Sequence, residues 1–157
     1  MVGPRGARCA VNEEIVLRFV DEGVSARAVL LTGDAPRTCA AVLERLPLTA
    51  TAHHGIYSGS EVAMVLPDVF REPEEHATWD VSKGDIGYTW MAKGSHHGVT
   101  EDFAELCWFY DNDARPSMWD GPVAVNVFAR LVDADAFHAV CRSMRTAGAK
   151  TVEIRRG

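Results

Sequence analysis

Long apolar runs are missing from this chain of 157 residues. No stretch approaches the roughly 20 apolar residues that a membrane-crossing helix needs, and the opening "MVGPRGARCAVNEE" lacks the apolar core of a secretory signal. A cytoplasmic protein with no membrane partner is therefore expected. Positive charge is scarce as well: 16 Lys and Arg stand against 22 Asp and Glu, a net charge of -6. Such a field repels polyanions, and apart from the terminal "EIRRG" the basic residues are scattered, so nucleic acid is not an expected partner. Cysteine is sparse and dispersed. Cys9, Cys39, Cys107 and Cys141 form no CxxC pair of the kind that marks zinc or a redox couple, and they read as small apolar residues in or near the core. GxGxxG, GxxxxGK[ST] and GxSxG are absent too, which leaves nucleotide binding and triad hydrolysis without support.

What is present is the composition of an ordinary folded protein, 47% apolar and 24% charged, at a length that suits one domain. Residues 1–11 carry no periodic pattern and read as a loose leader. Residues 12–157 read as one domain.

From Glu13 apolar and polar residues alternate through Ile15, Leu17 and Phe19, turn at "DEG", and alternate again through Val24, Ala26, Ala28 and Leu30, which predicts a hairpin with Gly23 in the turn. "GDAPRTCAAVLERLP" predicts a helix capped by Asp34, with Pro36 in its first turn and Pro47 stopping it. Strands follow over 48–57 and 61–66 around an "SGS" turn, then a surface loop over 67–83. Further strands are read at 85–91, in "ELCWFYD" and in "VAVNVFARLV", separated by the loops "AKGSHHGVTEDF" and "NDARPSMWDGP". A last helix places Phe137, Val140, Cys141 and Met144 on one face and closes at Gly148 before the final strand "KTVEIRR". The order β-β-α-β-β-β-β-β-α-β is mainly β, with no parallel crossover rhythm. Eight short antiparallel strands leave no open edge when they close into a barrel, and two amphipathic helices cover its ends. Side chains fill such a barrel, so a site belongs on its outer face or rim.

This order resembles that of a cyclophilin, and "DAPRTCAAVLERLPL" resembles the Ala-Pro-x-Thr entry to the first cyclophilin helix. A nearer resemblance is to the bacterial cyclophilin-like proteins of unknown function grouped as DUF3830. It is carried by "APRTCAAVLERLPL", "HGIYSG", "GDIGY", "ELCWFYD" and "GPVAVNVFARL", in that order, from residue 13 to about 132. The resemblance implies an eight-stranded cyclophilin-like barrel and little chemistry, since fold does not fix function. Prolyl isomerases carry an arginine beside a phenylalanine on the third strand. Here that segment reads "AHHGIYSG", with no arginine between Arg45 and Arg71, so prolyl isomerisation ranks third among the expected functions.

Four of the six histidines fall in two HHG triplets. On the third strand His54 shares a face with Leu48, Ala50 and Ala52, toward the core, while His53 shares the solvent face with Thr49, Thr51 and Tyr57. If the loop bearing His96 and His97 folds over this strand, one imidazole of each pair converges on a rim pocket. Imidazole exchanges protons near neutrality, and Glu105 is the favoured carboxylate to orient it, ahead of Glu61 and Glu101. The expected catalytic set is His54, His53, His97, His96 and Glu105.

No cofactor is predicted. A transition metal on His54, His96 and His97 is the alternative use of the same imidazoles. Against it, HxH and HExxH are absent, and adjacent histidines on a strand point to opposite faces. Tyr57, Trp90, Trp108 and Tyr110 are candidates to line a concave site for a small planar ligand, with Arg115 as a carboxylate clamp. Asn126, in an otherwise apolar strand, is assigned a structural hydrogen bond. The leading expectation is an acid–base enzyme that isomerises, hydrates or ring-opens a small polar substrate, cyclic ones included. Its rival is a non-catalytic protein that binds a small ligand or peptide on the aromatic outer face. Homo-oligomerisation is left open.

Overall fold

Alternation in "EIVLRF" and "VSARAVL" forms the first hairpin, β1 (Glu14–Phe19) and β2 (Val24–Leu30), around Gly23 with φ of 67°. The computed structural model describes residues 13–157. The expected leader and Cys9 lie outside the described residues. Next come α1 (Pro36–Leu43), β3 (Leu48–His54), β4 (Glu61–Val65), the two-residue β5 (Ala77–Thr78), β6 (Asp85–Met91) and β7 (Phe103–Phe109). The two-residue β8 (Ser117–Met118) and β9 (Gly121–Pro122) form a small hairpin. β10 (Val125–Val132), α2 (Asp135–Ala147) and β11 (Lys150–Arg156) complete the chain.

The eight longer strands run β2-β1-β11-β3-β4-β7-β6-β10, every pairing antiparallel, and β10 returns to β2 through Ala129↔Leu30 to Val132↔Arg27. The sheet is therefore a closed eight-stranded barrel with two helices, mainly β as the order of elements predicts. Closure leaves no long edge strand for another chain to extend. No helix among the described residues is long and apolar enough to cross a membrane.

Inward-facing side chains fill the barrel: Ile15, Leu17, Phe19, Met64, Tyr88, Leu106, Trp108 and Phe128 are all at or near complete burial. α1 adds Cys39 and Val42 to this cluster, and α2 adds Phe137, Cys141 and Met144. Each large apolar side chain so buried contributes about 1.5–3 kcal/mol. A second cluster lies on the outside of the sheet, where Cys107, Phe109, Val125 and Val127 pack under Val81 and Ala114. The second half of β7 is thus buried on both faces, which explains its unbroken apolar run "LCWF". At Gly87 a Cβ would lie 2.5 Å from Val125 Cγ2, so this strand position needs glycine for space.

Two expectations are corrected. Asp34 does not cap α1: the cap position is Ala35, with no side-chain bond. Instead Glu75, from the loop before β5, accepts from the amides of Arg37 (3.1 Å) and Thr38 (2.8 Å) and from the Thr38 hydroxyl (2.8 Å). Asn126 holds that loop in place. Its Nδ2 donates to Thr38 Oγ1 (3.1 Å) and to the Pro73 carbonyl (3.0 Å), while its Oδ1 accepts from the Glu75 amide (3.1 Å). The third strand also ends earlier than read, at His54 rather than Tyr57, because Gly55–Ser60 leave the sheet as a turn.

Candidate functional site

The two histidine doublets do not meet. His54 ends β3 and turns into the barrel, where Nε2 lies 2.7 Å from the Tyr110 hydroxyl and Nδ1 lies 2.8 Å from the Gly55 carbonyl. A carbonyl only accepts, so Nδ1 carries the proton and Tyr110 donates to Nε2. Both ring nitrogens are engaged. His96 and His97 sit in the loop that leaves β6 where Met91 faces Phe103, at the opposite end of β7 from Tyr110. Seven residues of β7 separate the two ends, roughly 20 Å at strand spacing. There His96 Nδ1 pairs with Asp120 (3.2 Å), and His97 meets the edge of Trp119 at 5.3 Å. The shared rim pocket expected from the sequence is not formed. Among the described residues no three His, Cys, Asp or Glu side chains are grouped to hold a metal ion, and His54 is remote from His96 and His97.

Of the predicted catalytic residues, His53 and Glu105 do share a surface. His53 is exposed opposite Ala63, Ala63 faces Cys107, and Glu105 follows two residues before Cys107 on the same outer face of β7. By the same alternation Glu61, which opens β4, points outward with Ala63. Its carboxyl is folded against the turn so closely that a Cβ on Gly55 would lie 2.5 Å from Glu61 Oε1. Glu61, Cys107 and Glu105 therefore form a ladder over the β4–β7 pair.

The electrostatics of this ladder are unusual for the molecule. Burial pushes the Glu61 carboxyl up to about 7, with the facing Ser58 and Cys107 side chains pulling the other way. Burial, and then the neighbouring Glu61, push Glu105 up to about 8. Cys107, wholly buried between them, is raised well above the ordinary thiol range by burial and by both carboxylates. Two carboxyls whose titration desolvation moves into the neutral range, on either side of Cys107, are equipped to give and take protons at pH 7. Glu61 is 6% exposed. Glu105 is only half-buried, and it opens into a groove of about 540 Å³ lined by Val65, Leu66, Val69, Glu101, Asp102 and Phe103.

The predicted ligand-binding residues are dispersed. Trp108 is fully buried in the barrel and so presents no outer surface. Tyr110 is equally buried and serves His54. Tyr57 is 54% exposed on the turn after β3. Arg115 lies over the ring of Trp79 at 4.6 Å, with no carboxylate partner among the described residues. Trp90 is half-buried and lines a hollow of about 480 Å³ with Tyr88, Thr89, Met91, His96, Val123 and Asn126. Arg71 covers its ring at 5.4 Å and pairs with Asp102 at 2.6 Å. Glu61 is the residue that reasoning from the sequence undervalued; its outward parity with Ala63 and Cys107 was the available signal.

Comparison with known proteins places the chain among relatives. A family described as "Protein of unknown function (DUF3830)" matches residues 17–155. The chain belongs to this family. No curated protein sequence matches this DUF3830 chain. Among solved structures it is similar to the hypothetical protein AF2241 from Archaeoglobus fulgidus, at 23% identity and a TM-score of 0.62, covering 99% of this chain and 100% of that one. It is similar to McbB, solved in complex with tryptophan, at 14% identity and a TM-score of 0.58, covering 90% of this chain and 44% of McbB. The Mimivirus cyclophilin is similar at 14% identity and a TM-score of 0.52, covering 92% and 87%. At these identities the likeness is one of fold: the DUF3830 barrel is cyclophilin-like.

Proposed function

We propose that this DUF3830 protein is an acid–base enzyme for a small polar molecule, with Glu61 and Glu105 as its proton-transferring pair. The observation that supports it is the outer-face ladder, in which burial lifts both carboxyls to about 7 and about 8 while Glu105 faces an open groove. Midway between the two values, at about pH 7.5, such a pair holds about one proton, so one carboxyl is ionised while the other is protonated. Glu105 contacts the ligand from the groove. Glu61, beyond Cys107 on the same face, sets the affinity of Glu105 for its proton through its charge. His53 is exposed on the same face. Reactions that need one proton removed and one returned, such as isomerisation, hydration or ring opening of a cyclic amide, match this inventory.

A panel of small carbonyl compounds and cyclic amides, incubated with the protein in deuterium oxide and followed by mass spectrometry, tests the reading. Deuterium uptake or turnover of a panel member that Glu105→Gln and Glu61→Gln both abolish is the expected result. Turnover that survives in both variants removes the pair from the mechanism.

The second reading is a ligand-binding protein that uses the hollow at Trp90. It draws on that hollow's volume of about 480 Å³ and its Tyr88, Trp90 and Asn126 lining, and on the fold shared with part of McbB, which was solved with tryptophan. It predicts saturable quenching of indole fluorescence by free tryptophan, lost in Trp90→Ala and kept in Glu105→Gln.

A further inference from the structure

The end of the barrel near α2 carries a second polar hollow, of about 330 Å³, lined by His54, Gly55, Ile56, Gly59 and Arg145. Arg145 is held in place there. It donates to Ser60 Oγ (3.0 Å) and lies 5.8 Å over the ring of Tyr110, beside Arg142 at 5.5 Å. Seven other arginines lie within ion-pair distance of a carboxylate, Arg142 among them through Asp111 (3.5 Å). Arg145 has no such partner among the described residues. In a chain of net charge -6, a guanidinium positioned by two contacts yet left without an anion is a preorganised fork for an oxyanion.

The turn that faces Arg145 has matching chemistry. Ser60 also accepts the Tyr110 amide on its carbonyl, and Ser58 is bonded to the Arg115 and Ser117 amides, so the turn is pinned at both of its serines. Of the turn residues that line the hollow, Ile56 and Gly59 have amides with no acceptor among the described residues, while the Gly55 amide is bonded to the Glu61 carbonyl (2.8 Å). Immediately beside them Ile56 is 84% exposed and Tyr57 54% exposed, an apolar shoulder on a polar hollow. We infer that this hollow binds a small carboxylate that carries an apolar group, its oxygens on Arg145 and the turn amides and its apolar body against Ile56.

The inference does not rest on proton transfer by the Glu61–Glu105 pair, although Glu61 packs against Gly55 at the edge of the hollow. The test is a titration of the nitrogen-15-labelled protein with benzoate, acetate and inorganic phosphate, read at the Gly55 and Gly59 amide resonances. Benzoate is expected to shift both resonances saturably, acetate to bind several-fold more weakly, and phosphate to produce no tighter binding than acetate. Arg145→Gln is expected to weaken benzoate by about tenfold or more, as loss of a charge-assisted fork requires. Ile56→Ser is expected to remove the advantage of benzoate over acetate, and Glu105→Gln to bind benzoate like the parent. Linear, non-saturating shifts, or equal benzoate binding in Arg145→Gln, would overturn the site. Phosphate binding tighter than benzoate would overturn the carboxylate class.

Discussion

Replacing Glu105 by glutamine changes how stability depends on pH, and the sign follows from the direction of its shift. A carboxyl whose pKa is higher in the folded protein than in the unfolded chain binds its proton more tightly when folded. Its contribution to stability is complete below the unfolded value of 4.5 and is lost as pH rises through the folded value of about 8. Glu61 behaves alike through about 7. The window to examine runs from about pH 6.5 to about pH 8, because other shifted groups act elsewhere. The lowered carboxyls Glu22, Glu75, Asp102 and Asp111 act under acid conditions, His138 is lowered and acts below its usual range, and the raised thiols act above. At about 1.4 kcal/mol per pH unit for each fully engaged group, the pair loses about 2 kcal/mol across this window, roughly two thirds of it from Glu105. Urea unfolding at closely spaced pH values should show that decline in the parent. It should be reduced to a minor slope in Glu105→Gln, which keeps the shape of the protonated side chain. A parent whose stability is flat or rises from about pH 6.5 to about pH 8, or a variant with the parent's slope, would refute the reasoning.

Three further outcomes follow from the packing. Gly87→Ala sets a methyl 2.5 Å from Val125 Cγ2 and should cost about 2 kcal/mol or more by urea midpoint, with Val125→Ala in the same chain restoring part of it. Glu75→Ala strips three donors at the start of α1 of their side-chain acceptor and should cost about 1–2 kcal/mol, read by thermal unfolding, with Glu75→Gln less harmful. Tyr110→Phe leaves His54 Nε2 without its donor and should cost about 1–3 kcal/mol, visible also as a changed imidazole resonance.

The barrel was largely legible because each long strand carries its own period: "EIVLRF" and "VSARAVL" alternate without help from distant residues, and "VAVNVFARLV" is bounded by turn signals. The two-residue strands Ala77–Thr78, Ser117–Met118 and Gly121–Pro122 are too short to carry a period and exist only because β10 and the neighbouring loop lie beside them. Glu75 caps α1 from 37 residues away along the chain, so no local capping signal could reveal it, while Asp34, locally the better cap, goes unused. The site was legible by parity rather than by motif. Two HHG triplets invite pairing because they look alike, yet one ends β3 and the other leaves β6 at the far end of the barrel. The spacing of Glu105 to Cys107, and of Glu61 to Ala63, placed the carboxyls on one face, but which of the two faces of β7 was the covered one depends on Val81, Ala114 and Val125 packing over it.

The central claim is that two carboxyls on the outer face stay protonated into the neutral range. Carbon-13 titration of the protein labelled at the glutamate side-chain carboxyl reads this directly. Two resonances should move with midpoints near 7 and 8, one vanishing in Glu61→Gln and the other in Glu105→Gln. If every glutamate resonance has completed its shift by about pH 5.5, within the ordinary carboxylate range, the pair is ionised throughout and the proposed acid–base role is contradicted.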